Sequence, residues 1–187
     1  MDNQDKRLRF EQSIMPHLDA AYNLARWLVR NDDDAEEAVQ EAFLRAYKFF
    51  GSFHGNDGKA WLLAIVRNTC YSLRGQVPGA GAGVNEEFDE QIHLPGMVAE
   101  GSGGSFCRNP EDIAIQHADR ELLNRAIEEL PVVFREVLVM REIEELSYKE
   151  IAKIVDIPLG TVMSRLARGR HLLHEAIVAQ MKKESSK

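Results

Sequence analysis

LSYKEIAKIVDIPLGTVMSRLARGR, running from Leu146 to Arg170, decides how the chain is built. Ser147 and Glu150 stand at the Ser-x-x-Glu spacing of a capping box, in which two side chains and two backbone N–H groups satisfy one another at a helix start. The short helix that follows bears Ile151, Ala152 and Val155. Asp156, Ile157 and Pro158 make a tight turn. A second helix then has Val162, Leu166, Gly169 and Leu173 on one stripe and Thr161, Ser164, Arg165, Arg168 and His171 on another. A capped helix, a short turn and a second helix, with small Ala152 at the expected close approach, form a helix-turn-helix.

The polar stripe narrows the chemistry. A recognition helix enters the major groove with the side chains near its N-terminus against base edges, and Thr161, Ser164, Arg165 and Arg168 occupy that stretch. From Leu159 to His174 the only charged residues besides histidine are Arg165, Arg168 and Arg170, with no acid. Such a face attracts phosphate and can pair guanine in bidentate fashion. Upstream, Asn109 caps a helix with Pro110 at its first position, continuing through Leu122, Leu123, Ala126, Ile127 and Leu130. Pro131 opens another with Val132, Val133, Val137, Leu138 and Met140.

Gly75 to Asn109 breaks the pattern. Glycines and prolines alternate there with Glu86, Glu87, Asp89 and Glu90, a composition that cannot bury a core. The reading is a flexible acidic linker, spanning about 30 to 35 Å as a random coil, which lets two lobes sit well apart.

Before the linker, Asp33 is the expected N-cap with Glu36 at N3, followed by Ala35, Ala38, Val39, Ala42, Phe43, Ala46, Tyr47 and Phe50 at helical steps. The other side of this helix presents Glu37, Glu41, Leu44 and Lys48, which composition alone reads as a solvated stripe. An earlier helix carries Tyr22, Leu24, Ala25, Trp27, Leu28 and Val29, with Pro16 breaking or starting it. A third runs from Lys59 to Arg74 and is apolar enough to be the buried centre of its lobe. On its polar edge Arg67 and Arg74 lie about 10 Å apart and Asn68 shares a stripe with Trp61. Arginines, amides and aromatic faces together can hold phosphate and an unstacked base. Trp61 as plain core, with solvated arginines, is the alternative.

The fold class is therefore all-α, in two small helical domains over 1–74 and 110–187 joined by residues 75–109. The net charge is −7, and it comes from the middle: residues 1–74 carry 10 basic and 11 acidic side chains, 75–117 carry 1 and 7, and 118–187 carry 12 and 12. An acidic chain of this kind still binds DNA through local basic clusters. No apolar run long enough to span a bilayer and no signal-peptide pattern occurs, which points to a cytoplasmic protein. Cys70 and Cys107 are too few for a disulfide framework or metal site, and His171 with His174 lacks a third ligand, so no metal and no cofactor are expected. No nucleophile, base and orienting group stand at recognisable spacing, so no catalytic residue and no small-molecule substrate are assigned.

Two motifs carry a resemblance. Leu146 to Arg170 closely resembles region 4 of bacterial sigma-70-family factors, in particular the extracytoplasmic-function (ECF) group. Asp34-Ala-Glu-Glu-Ala-Val-Gln-Glu-Ala-Phe-Leu-Arg-Ala-Tyr47, with Phe53-His-Gly55 and Trp61-Leu62 to Asn68-Thr69, is similar to region 2 of the same group. The order matches too. The resemblance implies a dissociable initiation subunit that partners core RNA polymerase, at the clamp coiled coil of its largest subunit and at the flap, together with promoter DNA and an anti-sigma factor. It implies core contacts by Glu37, Gln40, Glu41 and Leu44. It implies −10 element contacts by Phe53, His54, Gly55, Asn56, Trp61, Arg67, Asn68 and Arg74, and −35 element contacts by Thr161, Ser164, Arg165 and Arg168. Without the resemblance, two other readings fit the residues: a helix-turn-helix regulator with an N-terminal sensing lobe, or a protein-binding adaptor.

Overall fold

The computed structural model describes residues 3–53, 55, 57–75 and 110–184, and among these every regular element is helical. The linker reading therefore lies outside the described residues except at Gly75, as do His54, Asn56, Cys107 and the expected cap Asn109.

The first lobe holds α1 (Asn3–Ser13), a 3₁₀ turn at Met15–His17, α2 (Leu18–Val29), α3 (Asp32–Phe49), a second 3₁₀ turn at Phe50–Ser52 and α4 (Gly58–Leu73). Pro16 sits in the first turn of the 3₁₀ segment, where its missing N–H costs nothing. The cap of α3 differs from the sequence expectation. Asn31 is the N-cap: its backbone is extended and its Oδ1 accepts from the N–H groups of Asp33 at 2.8 Å and Asp34 at 3.4 Å. Asp32, Asp33 and Asp34 then all fall in the first turn, where the positive end of the helix dipole favours carboxylates. Helix α4 lies in the middle of the lobe as expected, with Leu62, Leu63 and Val66 fully buried against α2 and α3.

Cys70 is on the same buried side, and burial pushes its thiol from 9.0 up to about 12. A raised thiol value means that the native state holds this proton more tightly, so its stabilising contribution is complete below pH 9 and fades as pH rises towards 12. In a Cys107→Ser background near pH 8, Cys70 should react with a disulfide reagent roughly a thousandfold more slowly in the native state than in concentrated guanidinium chloride, following its thiolate fraction. Equal rates would show that the thiol is open to solvent.

The second lobe holds α5 (Pro110–Glu129), α6 (Val132–Leu138), a π-helical turn (Val139–Ile143), α7 (Tyr148–Val155) and α8 (Leu159–Glu184). Pro131 is the N-cap of α6. The capping box of α7 is fully formed: the Ser147 N–H donates to Glu150 Oε2 at 2.6 Å and the Glu150 N–H to Ser147 Oγ at 3.3 Å. These bonds hold the Glu150 carboxyl below its ordinary value. Asp156 ends α7 in the left-handed conformation, and the turn leads straight into α8. Ala152 is half-buried on α7, and α8 approaches α6 closely at Gly169, where an added Cβ would stand 3.0 Å from Leu138 Cδ1. Among the described residues no helix is long and apolar enough to cross a membrane.

The lobes touch. Helix α7 packs on α4 and α6 on α2, so this arrangement is closed where the sequence allows the lobes to stand apart. Polar groups are prominent at the junction. Lys59 of α4 reaches Glu144 at 2.9 Å, Asn23 of α2 donates to the same carboxylate at 3.4 Å, and Arg135 of α6 donates to the Trp27 carbonyl at 3.0 Å. Burial first, and then the nearby positive charges of Arg30 and Arg74, pull the Arg135 guanidinium down to about 10.

Candidate nucleic-acid interface

Helix α8 presents its N-terminal stripe much as the spacing requires, with one exception. Arg168 is exposed, Thr161 and Ser164 are half-buried, and the Ser164 hydroxyl donates to the Thr161 carbonyl at 3.1 Å. Arg165 departs from the expectation of an open base-reading side chain: it is only 6% exposed and points to Glu136 of α6, with Nη1 at 3.9 Å from Oε1. The helical wheel explains this. Arg165 lies about 60° from buried Val162, whereas Arg168 lies about 120° from it, so the core-facing side claims the first and solvent keeps the second. Arg170, displaced by about 200° from Arg168, turns away and pairs with Glu142 at 2.7 Å. His171 lies 3.5 Å from Glu175, and the described residues hold no cluster of three metal-ligating side chains.

The −10 candidates divide similarly. Phe53 and Trp61 face each other with ring centroids 4.9 Å apart, and Phe50 stacks behind Phe53 at 5.8 Å. Asp57 caps α4 by accepting from the Ala60 N–H at 2.9 Å, which fixes where Trp61 emerges. Gly55 and Asn68 are exposed. This half-open aromatic platform, with an amide on the Trp61 stripe, has the surface an unstacked base requires. Arg74 is exposed but donates to the Leu28 carbonyl at 2.8 Å, so it also serves the C-terminal end of α2.

Arg67 corrects the sequence reading. Instead of a solvated polar edge it is 2% exposed and forms a bidentate pair with Glu136, Nε to Oε2 at 2.8 Å and Nη2 to Oε1 at 3.2 Å. The Tyr71 hydroxyl donates to the same carboxylate at 3.1 Å, and the guanidinium lies over the Tyr71 ring. Burial opposes the charge on Arg67, but the hydrogen bond and the attraction of Glu136 outweigh it, leaving the guanidinium more basic than usual. Glu136 and Glu144 are the residues that sequence reasoning missed. A signal existed for Glu136, which interrupts the core stripe formed by Val133, Val137 and Met140 with a carboxylate. Its partner is 69 residues away and no local pattern points to it.

The core-binding candidates form one surface. Glu37, Gln40 and Leu44 are exposed on α3, Leu44 at 68%, and half-buried Glu41 pairs with Arg45 at 2.8 Å.

A helix-turn-helix whose second helix keeps an arginine exposed next to half-buried hydroxyls defines a helical DNA-binding protein. Residues 14–76 match the family model of sigma-70 region 2, and residues 120–173 match that of sigma-70 region 4. The chain is 34% identical over 148 residues to the ECF RNA polymerase sigma-E factor of Escherichia coli K12, covering 77% of this chain and 74% of that protein. It is 30% identical over 179 residues to the RNA polymerase sigma-H factor of Pseudomonas aeruginosa, covering 92% and 88%. The sigma factor RpoE from Bartonella quintana, solved in complex with the anti-sigma factor NepR, superposes with a TM-score of 0.64 at 27% identity, over 90% of this chain and 96% of that one. The chain belongs to the sigma-70 family, in its ECF group, and is a transcription-initiation factor, not an enzyme.

Proposed function

We propose that this sigma factor docks on core RNA polymerase through Glu37, Gln40, Glu41 and Leu44 of α3, meeting the clamp coiled coil of the largest subunit. Region 2 lies within residues 1–74 and melts the −10 element against Phe53, His54, Gly55, Asn56, Trp61, Arg67, Asn68 and Arg74. Region 4 lies within 110–187, contacts the flap, and reads the −35 element through Thr161, Ser164, Arg165 and Arg168; residues 75–109 join the two. An anti-sigma factor holds the free protein and competes with core for the α3 face, as the Bartonella quintana sigma factor is held by NepR. The work is done in the cytoplasm.

The observation that carries this reading is the stripe of exposed Arg168 with half-buried Thr161 and Ser164 on α8, together with the exposed Glu37, Gln40 and Leu44 on α3. The two faces lie on different lobes, so one chain can engage DNA and a protein partner together. Run-off transcription with purified core polymerase over genomic promoter fragments tests it directly. Transcripts that depend on the added chain are expected; failure to bind core would favour the operator-binding regulator.

The reading also separates two arginines of one helix. Arg168→Ala should cost roughly 1 to 3 kcal/mol at one −35 base pair and flatten the preference there, as for a lost bidentate base contact. Arg170→Ala should act evenly across sequences or do little, because Arg170 is engaged with Glu142 on another side of α8. Reconstituted holoenzyme on a library randomised at the −35 element gives the readout. If Arg168→Ala lowers every promoter by one factor, Arg168 is a phosphate contact and not a base reader.

A further inference from the structure

Glu136 is fully buried, belongs to the second lobe, and yet spends its carboxylate largely on the first. One oxygen accepts from Arg67 and Tyr71 of α4; the other accepts from Arg67 and lies near Arg165 of α8. Arg67 of α4 and Arg165 of α8 thus converge on a single acid, and only Arg67 reaches it from the other lobe. A carboxylate offers a guanidinium the same planar, bidentate acceptor geometry that a phosphate offers, so Glu136 occupies the Arg67 group that nucleic acid would otherwise engage.

We propose that Glu136 is an internal latch: it holds the lobes closed and covers Arg67 until the lobes separate. The inference rests on the assignment of Arg67 to promoter DNA. Its energetic basis is the near balance of a buried ion pair. Desolvation offsets most of the Coulomb gain, so the pair holds the closed state without locking it, and the binding energy of a partner can open it. Glu144 adds a second clasp with Lys59 and Asn23 at the edge of the same junction. Meanwhile Glu37, Gln40 and Leu44 stay exposed in the closed arrangement. Core polymerase can therefore dock on α3 first, and Arg67 is released when the lobes are drawn apart. The free protein then binds promoter DNA weakly because its competent population is small.

The test uses the full chain with Glu136→Gln, which keeps shape and removes charge. Two measurements are made: small-angle X-ray scattering, and anisotropy of a labelled mixed-sequence DNA duplex without polymerase. The variant should show a larger radius of gyration than wild type and bind the duplex at least about tenfold more tightly, the reciprocal of an open population near one tenth. Glu121→Gln, an exposed position on α5 with the same change of net charge, controls for simple electrostatics and should leave both measurements as in wild type. Unchanged scattering, or expansion with no gain in DNA binding beyond the control, overturns the latch. Should Glu136→Gln unfold, Lys59→Met removes the edge clasp without touching either arginine and is held to the same two outcomes. Run-off transcription by the wild-type chain with core judges the promoter assignment separately: its failure removes the role of Arg67 in DNA binding, whereas unchanged scattering removes the latch.

Discussion

Leu44→Asp should abolish stable association with core RNA polymerase, weakening it by at least about 30-fold, while leaving the fold intact. Leu44 is 68% exposed on α3, so its side chain contributes little to the lobe's own core. In the free protein the substitution costs only the lower helix propensity of Asp, about half a kcal/mol. On the proposed docking face the same side chain is the apolar member of a stripe whose other members, Glu37, Gln40 and Glu41, are polar. Interfaces of this make-up draw most of their affinity from a few central anchors, each worth about 2 kcal/mol or more, and a charge placed there is also desolvated without a partner. Leu123→Asp, at a leucine that is also exposed (40%) on α5, is the control and should retain core binding. Pull-down and fluorescence titration against core give the readout. Retention of core binding by Leu44→Asp would move the contact off this face.

What the sequence made legible and what it hid follow from the range of the interactions concerned. The capping box and the turn at Asp156 into α8 depend on residues within a few positions of one another, and both are readable as spacing; the left-handed backbone of Asp156 is not. So is the apolar side of α3, because Ala35, Ala38, Val39, Ala42 and Ala46 repeat at helical steps. The cap of α3 was one step less legible: several consecutive side chains from Asn31 to Asp34 can each cap a helix, and only backbone geometry selects Asn31. The π-helical turn at Val139–Ile143 leaves no trace in periodicity, yet it ends beside Glu144, whose buried carboxylate meets Lys59.

The candidate site divides along the same line. Thr161, Ser164 and Arg168 are found where the wheel puts them, but Arg67 and Arg165 are not open. Periodicity tells which side of a helix is polar; it does not tell whether that side meets water or another lobe. Arg67 and Glu136 satisfy each other across the junction, so Arg67 read alone looks like a surface residue and Glu136 shows only as a carboxylate set into an apolar stripe.

Gly58→Ala should destabilise the first lobe by roughly 2 to 4 kcal/mol, a large share of the stability of a domain this size. Gly58 is the first residue of α4, and a Cβ there would come within 2.3 Å of the Ser13 carbonyl oxygen. The obstacle is backbone, not a side chain that can rotate away. Ser13 closes α1, and beyond it fully buried Ile14 and the 3₁₀ turn containing Pro16 fix the path of the chain. Relief therefore requires α4 to shift as a unit, which disturbs Leu62, Leu63 and Val66 in the core and carries Trp61 and Arg67 with it. Alanine's advantage over glycine in a helix, about 0.5 to 1 kcal/mol, is too small to compensate. Gly160→Ala is the internal contrast: it also lies at a helix start, nothing is within 4 Å of its added Cβ, and it should be neutral or stabilising by a few tenths of a kcal/mol. Urea unfolding of the two variants beside wild type measures both effects. If Gly58→Ala is as stable as wild type, the junction of α1 and α4 is looser than this geometry, and the close packing that sets where Trp61 and Arg67 stand is not there.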